Sequence, residues 1–195
     1  IYTNLDVNAQ TYLENAVTGN IKSDSDIQTS SVMVENKTGK VIALVGGKNY
    51  EKSQYNRAVY SKRQVGSTMK PFLYYAALED GFTASSTFLS EPTTFSLENN
   101  KTYSPANFGN IYPSKPIPLL LAIAYSDNIY AVKTHLFLGE DKIIDVAKKA
   151  GIKTKMEKTV SLPLGTEELN IMEMTNAYST LANEGVRNNL YLIRK

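Results

Sequence analysis

At 195 residues, 42% of them hydrophobic and 21% charged, the chain is long enough to bury a sizeable core and has the composition of an ordinary globular protein of about one domain. A net charge of +2 from scattered basic residues gives no footprint for nucleic acid, and the absence of cysteine excludes a disulfide framework or a thiolate metal site. The longest mainly apolar run, 117–125, is too short to span a bilayer, and the chain opens at Ile1 without a signal peptide or an initiating methionine, so it reads as a piece of something larger.

Residues 1–5 have the composition of a short strand. Asp6 or Asn8 can cap a helix running to about Val17, with Ala9, Leu13, Ala16 and Val17 on one face and Gly19 near its end. The β-rich runs Ser31–Glu35 and Lys40–Val45 flank Asn36-Lys37-Thr38-Gly39, which places turn residues where a hairpin needs them. The Lys-, Tyr- and Arg-rich stretch 48–63 is predicted to be a solvated loop. A helix over 68–80 follows, with Pro71 in its first turn and Met69, Phe72, Leu73, Ala76, Ala77 and Leu78 making it apolar nearly all round, the pattern of a central, buried helix.

The Ser-, Thr-, Pro- and Asn-rich stretch 83–114 carries little helical period and is predicted to be a long irregular excursion. Short helices over 119–125 and 129–138 are separated by Ser126-Asp127-Asn128. Asp141–Ala150 is amphipathic, with Ile143, Ile144, Ala147 and Ala150 on one face and Gly151 as its stop. Asn170 to Glu173 resembles a capping box, opening a helix that turns Ile171, Met174, Tyr178 and Leu181 inward and ends near Gly185. Residues 190–193 read as a strand. The order predicts an α+β fold in which an antiparallel sheet from the two ends of the sequence packs on a helical region, the sheet being incomplete as given.

The chemistry concentrates in Gly66-Ser67-Thr68-Met69-Lys70-Pro71. Residues three apart on a helix share a face, so the Ser67 hydroxyl and the Lys70 amine address the same space. Burial and the positive end of a helix both disfavour the ammonium, and a neutral lysine can take the serine's proton without any histidine. By position alone the simpler readings come first, Ser67 as a helix N-cap and Lys70 as a solvated surface lysine. Ser126-Asp127-Asn128 by itself is a cap and turn. Paired with Ser67 and Lys70, however, Ser126 can relay a proton, Asn128 can offer its amide to a substrate carbonyl, and Asp127 points inward as a structural hydrogen-bonding group.

Ser-x-x-Lys followed by Ser-Asp-Asn resembles the penicillin-recognising serine acyltransferases. The pieces Leu5-Asp6-Val7-Asn8-Ala9-Gln10, the hairpin from Asn36 to Gly47, Gly66 to Pro71, Tyr103-Ser104-Pro105-Ala106-Asn107-Phe108-Gly109, and the tail from Leu164-Gly165-Thr166 to Asn176-Ala177-Tyr178 are together similar to the transpeptidase domain of class A (bifunctional) penicillin-binding proteins. The resemblance implies a penicillin-binding-protein/β-lactamase-like fold, with residues 1–195 a partial transpeptidase domain that lacks the family's membrane anchor and glycosyltransferase domain. It implies a D,D-transpeptidase that cross-links peptidoglycan on the extracytoplasmic face of the bacterial membrane. The catalytic set is Ser67 as nucleophile, Lys70 as base, Ser126 as relay and Asn128 as substrate-positioning group. Its partners are stem peptides, a D-Ala–D-Ala donor and an amine acceptor, together with β-lactam antibiotics that acylate Ser67. No cofactor and no metal is implied.

The family's third motif, Lys-Thr-Gly on a sheet strand, follows Ser-x-Asn in its members. Lys37-Thr38-Gly39 precedes the nucleophile in a hairpin turn and is given no catalytic role. The functional copy, with one backbone N–H of the oxyanion hole, is expected after Lys195, in a C-terminal remainder of the same domain. Glu168-Leu169-Asn170 resembles part of the β-lactamase Glu-x-Glu-Leu-Asn loop, but Thr166 stands where the deacylating glutamate would be. Glu167 and Glu168 are expected to be a solvated pair, and His135, the single histidine, packed or half-exposed. A serine β-lactamase and a non-enzymatic β-lactam sensor are the alternatives.

Overall fold

The computed structural model describes residues 1–22, 24–97 and 100–194. In chain order the elements are α1 (Val7–Asn20), β1 (Ser31–Glu35), β2 (Lys40–Val45), α2 (Arg57–Tyr60), β3 (Lys62–Gln64), α3 (Lys70–Glu79), β4 (Thr87–Ser90), β5 (Phe95–Ser96) and β6 (Thr102–Tyr103). They continue as β7 (Lys115–Pro118), α4 (Leu119–Ala124), α5 (Asn128–Leu138), α6 (Asp141–Ala150), β8 (Glu168–Asn170) and α7 (Ile171–Ala182). The fold is α+β, with small two-stranded sheets. The chain divides into two compact units: Ile1–Arg63 with Lys148–Thr154 and Glu168–Lys195, and Gln64–Ala147 with Lys155–Glu167.

The first unit is built on the β1–β2 hairpin, antiparallel from Ser31↔Val45 to Glu35↔Lys40 with an irregularity between Met33 and Val34. Alternation buries Val41, Ala43 and Val45 of β2. Helix α1, capped by Asp6, is tied to β2 through the Gln10 amide, which donates to Leu44 O at 3.0 Å and accepts from Leu44 N at 2.8 Å. The two ends of the sequence do meet here: Asn4 N donates to Leu192 O, Arg194 N to Tyr2 O, and Val41 N to Tyr191 O. They meet as isolated bridges rather than as the predicted strands. Within 48–63, predicted as loop, stand α2 and β3, the latter paired with β8.

Helix α7 packs on β1 and α2, and it buries Met174, Ala177, Ser179 and Thr180. That corrects the predicted inward face. Tyr178 is exposed, and Thr180 turns in because its hydroxyl donates to Ala150 O at 2.9 Å.

The second unit is centred on α3 and α5, which pack together and bury Phe72, Leu73, Ala76, Ala77, Ile129, Tyr130, Ala131 and Val132. Each large side chain of this set is worth roughly 1.5–3 kcal/mol of burial. The rings of Phe82, Phe88, Tyr130 and Phe137 meet edge-on or tilted beside it. The stretch predicted as irregular contains β4, paired antiparallel with β7, and β5, paired with β6.

Candidate active site

Ser67 lies in a 3-10 turn, Gly66–Met69, and α3 begins only at Lys70. This shortens the predicted helix over 68–80 and removes the N-cap reading of Ser67. Pro71, in the first turn of α3, lacks an N–H that would go unused there anyway. The turn is held from behind by backbone. Gly66 N donates to Gly165 O at 3.0 Å, and both glycines have positive φ, 59° and 71°. A Cβ at Gly165 would lie 2.0 Å from Gly66 O, so only glycine lets the two backbones meet. In a 3-10 turn residues three apart eclipse one another, which stacks exposed Ser67 on the same side as Lys70.

Lys70 is 3% exposed, on the otherwise apolar helix α3. Its Nζ faces three oxygens from the turn between α4 and α5: Ser126 O at 2.6 Å, Ser126 Oγ at 2.9 Å and Asn128 Oδ1 at 2.7 Å. Burial pushes the amine down to about 8, against the opposing charge of Asp127. The partner set suits both protonation states. An ammonium donates to all three oxygens, whereas a neutral amine donates to the carbonyl and the amide and accepts from the Ser126 hydroxyl.

Ser126 has φ 53°, a left-handed conformation that a non-glycine residue adopts at a cost. The residues after it are fixed from several sides. Asp127, 4% exposed, caps α5 by accepting from Tyr130 N at 2.7 Å. Its other oxygen accepts from the Ser90 hydroxyl and from Asn107 Nδ2 at 2.7 Å. Asn128 donates its Nδ2 to Ala106 O at 2.7 Å. With a pure donor, Lys70, on one side and a pure acceptor, Ala106 O, on the other, the orientation of that amide is determined.

Lys70 is thus hydrogen-bonded directly to both Ser126 and Asn128, and Ser67, three residues before it, has no bond to Lys70. Asn107 was not singled out by sequence reasoning. Its only signal was its place in the quoted segment Tyr103–Gly109, because its partners Asp127 and Asn128 are far away in sequence.

The remaining residues raised by the sequence lie elsewhere or do something simpler. Lys37-Thr38-Gly39 forms the β1–β2 turn, where the Thr38 hydroxyl bonds the Glu35 carboxylate. His135 is buried on α5, its Nε2 at 3.1 Å from Thr159 O, with burial pushing its pKa down against that carbonyl and Glu140. Thr166 shares a hydroxyl contact with Ser161, and Glu167 accepts from Glu157 N. Among the described residues no cluster of His, Asp or Glu could hold a metal ion, and no helix is long and apolar enough to cross a membrane.

Comparison with known proteins gives a consistent family. Residues 29–195 match the penicillin binding protein transpeptidase domain. The chain is 47% identical to penicillin-binding protein 2D of Bacillus subtilis (strain 168), over 95% of this chain and 27% of that protein. It is 38% identical to penicillin-binding protein 1A of Pseudomonas aeruginosa, over 86% of this chain and 21% of that one. It therefore spans about a quarter of the length of these relatives. Among solved structures, penicillin-binding protein 1A from Haemophilus influenzae superposes with a TM-score of 0.81 at 34% identity, covering 86% of this chain and 25% of that one. PonA1 from Mycobacterium tuberculosis, solved in complex with penicillin V, shares the fold with a TM-score of 0.85 at 22% identity, over 100% of this chain and 54% of that one.

Proposed function

From the premise that the chain belongs to the penicillin-binding protein transpeptidase family, we propose that it carries the acylation site of a D,D-transpeptidase that cross-links peptidoglycan stem peptides outside the bacterial membrane. The observation that carries this reading is the Lys70 amine. It is buried, brought near 8, and held by Ser126 and Asn128 beside an exposed serine. A base with a pKa close to the working pH removes a proton efficiently.

In the proposed reaction Lys70 accepts the Ser67 proton as Ser67 Oγ bonds to the carbonyl carbon of the penultimate D-Ala. The Ser126 hydroxyl, on the same amine, passes a proton to the leaving nitrogen as the C–N bond breaks and terminal D-Ala departs. An amine from a neighbouring stem then attacks the ester, gives up its proton along the same path and releases Ser67. Asn128 uses one Nδ2 hydrogen on Ala106 O, leaving the second for the acyl group of the donor. A β-lactam offers the same carbonyl but keeps its leaving nitrogen tethered, and the penicillin V complex of PonA1 supports binding of such compounds by this fold.

The test is covalent labelling of the longest natural form of the protein by a fluorescent penicillin, beside the Ser67→Ala variant. A stable label that disappears in Ser67→Ala is the expected result. A label surviving that substitution would remove Ser67 as nucleophile. Rapid hydrolysis of penicillin in place of a stable label would turn the reading to a β-lactamase.

A further inference from the structure

Behind the Lys70 amine, Ser90, Asn107 and Asp127 bond to one another with little exposure to solvent. Ser90, Asn107 and Asp127 are 0%, 8% and 4% exposed. Asn107 is the hub. Its Oδ1 accepts from Asn128 N at 2.8 Å and Ile129 N at 3.3 Å, two of the first N–H groups of α5 that no helix carbonyl can satisfy. Its Nδ2 donates to Asp127 Oδ2 at 2.7 Å and to Ile111 O at 3.2 Å, and lies 3.4 Å from Ser90 Oγ. The neighbouring Ala106 O receives the Asn128 side chain. One short segment therefore grips both the backbone and the side chain of Asn128, and also the carboxylate between Ser126 and Asn128. The left-handed Ser126 also closes α4 locally, with Ser126 N donating to Ile123 O at 3.1 Å and Asp127 N to Ala122 O at 2.9 Å, so the grip from this segment bears on Asp127 and Asn128.

We propose that Asn107, supported by Ser90, is a positioning residue for acyl transfer: by capping the turn at Asn128 and completing the hydrogen-bond shell of Asp127, it holds the Lys70 amine in the orientation that serves Ser67. The inference rests on the reading of Lys70 as the base. Asn107 touches neither Ser67 nor Lys70 and acts only through Asp127 and Asn128. The charge that reaches Lys70 is that of Asp127, which favours the ammonium. Besides Lys70, the phenol of Tyr74 on α3 feels the Asp127 charge, and the Tyr130 phenol of α5 lies beside that of Tyr74. Burial holds both neutral, Tyr130 up to about 12 and Tyr74 beyond it, with the Asp127 charge acting on Tyr74 in the same sense. Two donors from Ser90 and Asn107 offset part of the Asp127 charge. Deleting either leaves more of its field on Lys70, whereas neutralising Asp127 removes that field.

The experiment measures the rate of acylation by a β-lactam against pH, in the full-length protein and in Asn107→Ala, Ser90→Ala and Asp127→Asn, with the melting temperature of each. In the native protein the rate is expected to rise through a limb near pH 8. Asn107→Ala is expected to lower the plateau about 10-fold or more and to move the limb upward by about half a pH unit or more. Ser90→Ala moves the limb upward with a smaller loss of rate, and Asp127→Asn moves it downward. Ser90→Ala deletes a single buried hydroxyl, so it decides the matter if Asn107→Ala fails to fold. A limb unmoved in Ser90→Ala and Asp127→Asn, with only the melting temperature lowered, overturns the positioning role while leaving Lys70 as base. A native profile with no limb attributable to Lys70 overturns the base reading first and this inference with it.

Discussion

Two turns in this chain are made of the same kind of residue. Lys37-Thr38-Gly39 and Ser126-Asp127-Asn128 each join two regular elements, and each matches a tripeptide of one enzyme family. They differ in where their side chains bond. Thr38 reaches back three residues to Glu35, and Lys40 pairs with Glu35 at 3.5 Å on the surface, so these side chains serve only the hairpin that carries them. Ser126, Asp127 and Asn128 instead bond to Lys70, Ser90, Ala106 and Asn107, all far off in sequence and most of them buried. A turn whose side chains bond locally is scaffolding. One whose side chains gather groups from several segments behind a buried amine has the makings of a site.

Four substitutions probe that contrast, beginning with the largest expected effect. Lys70→Met, which keeps the length of the side chain, should slow acylation by roughly 10²–10⁴-fold, the usual contribution of a general base. It should also change the pH dependence of folding. A lysine whose folded value is near 8 and whose ordinary value is 10.5 binds more protons when unfolded, so its burial penalty applies in full below pH 8 and fades as pH rises through that window. Chemical denaturation should show a native stability gain on the order of 2–3 kcal/mol between pH 8 and 10 that Lys70→Met lacks. An equal gain in both proteins would assign it to other groups.

Gly165→Ala comes next. A methyl group driven into the Gly66 backbone, at a positive φ, should cost about 2 kcal/mol or more and impair labelling by displacing the turn that presents Ser67. Thermal melting and fluorescent-penicillin labelling of the same sample check it, and an unchanged pair would show that the Gly66–Gly165 approach is dispensable. The smallest effect belongs to the hairpin turn. Lys37→Ala and Thr38→Val should alter stability by no more than about 0.5 kcal/mol and leave acylation kinetics untouched. A large kinetic loss there would erase the distinction between the two turns.

Much of the local structure could be read from sequence because its signals are local. The boundaries of β1, β2 and α6 follow from turn residues, alternation and an amphipathic period. Lys70, Ser126 and Asn128 were recognisable by spacing and by the apolar helix around the lysine. The inward face of α7 was not, because an apolar period favours large residues such as Tyr178. Close packing and a hydroxyl bond to Ala150 O instead select Ala177, Ser179 and Thr180. The 3-10 turn at Ser67 was hidden as well, since the approach of Gly165 that shapes it comes from a distant segment. Asn107 and Ser90 were invisible for the same reason, as neither carries a pattern until Asp127 is placed beside it.

The amide of Asn128 makes the site selective at the level of a single atom. Its oxygen meets a lysine and its nitrogen meets the Ala106 carbonyl, so the side chain has a polarity that cannot be reversed. An aspartate of nearly identical shape would turn a lone pair toward that carbonyl and bring a full charge to the amine, favouring the ammonium that cannot act as a base. Exchange of one NH₂ for an oxygen would thus disable the proposed proton transfers without changing the volume of the site.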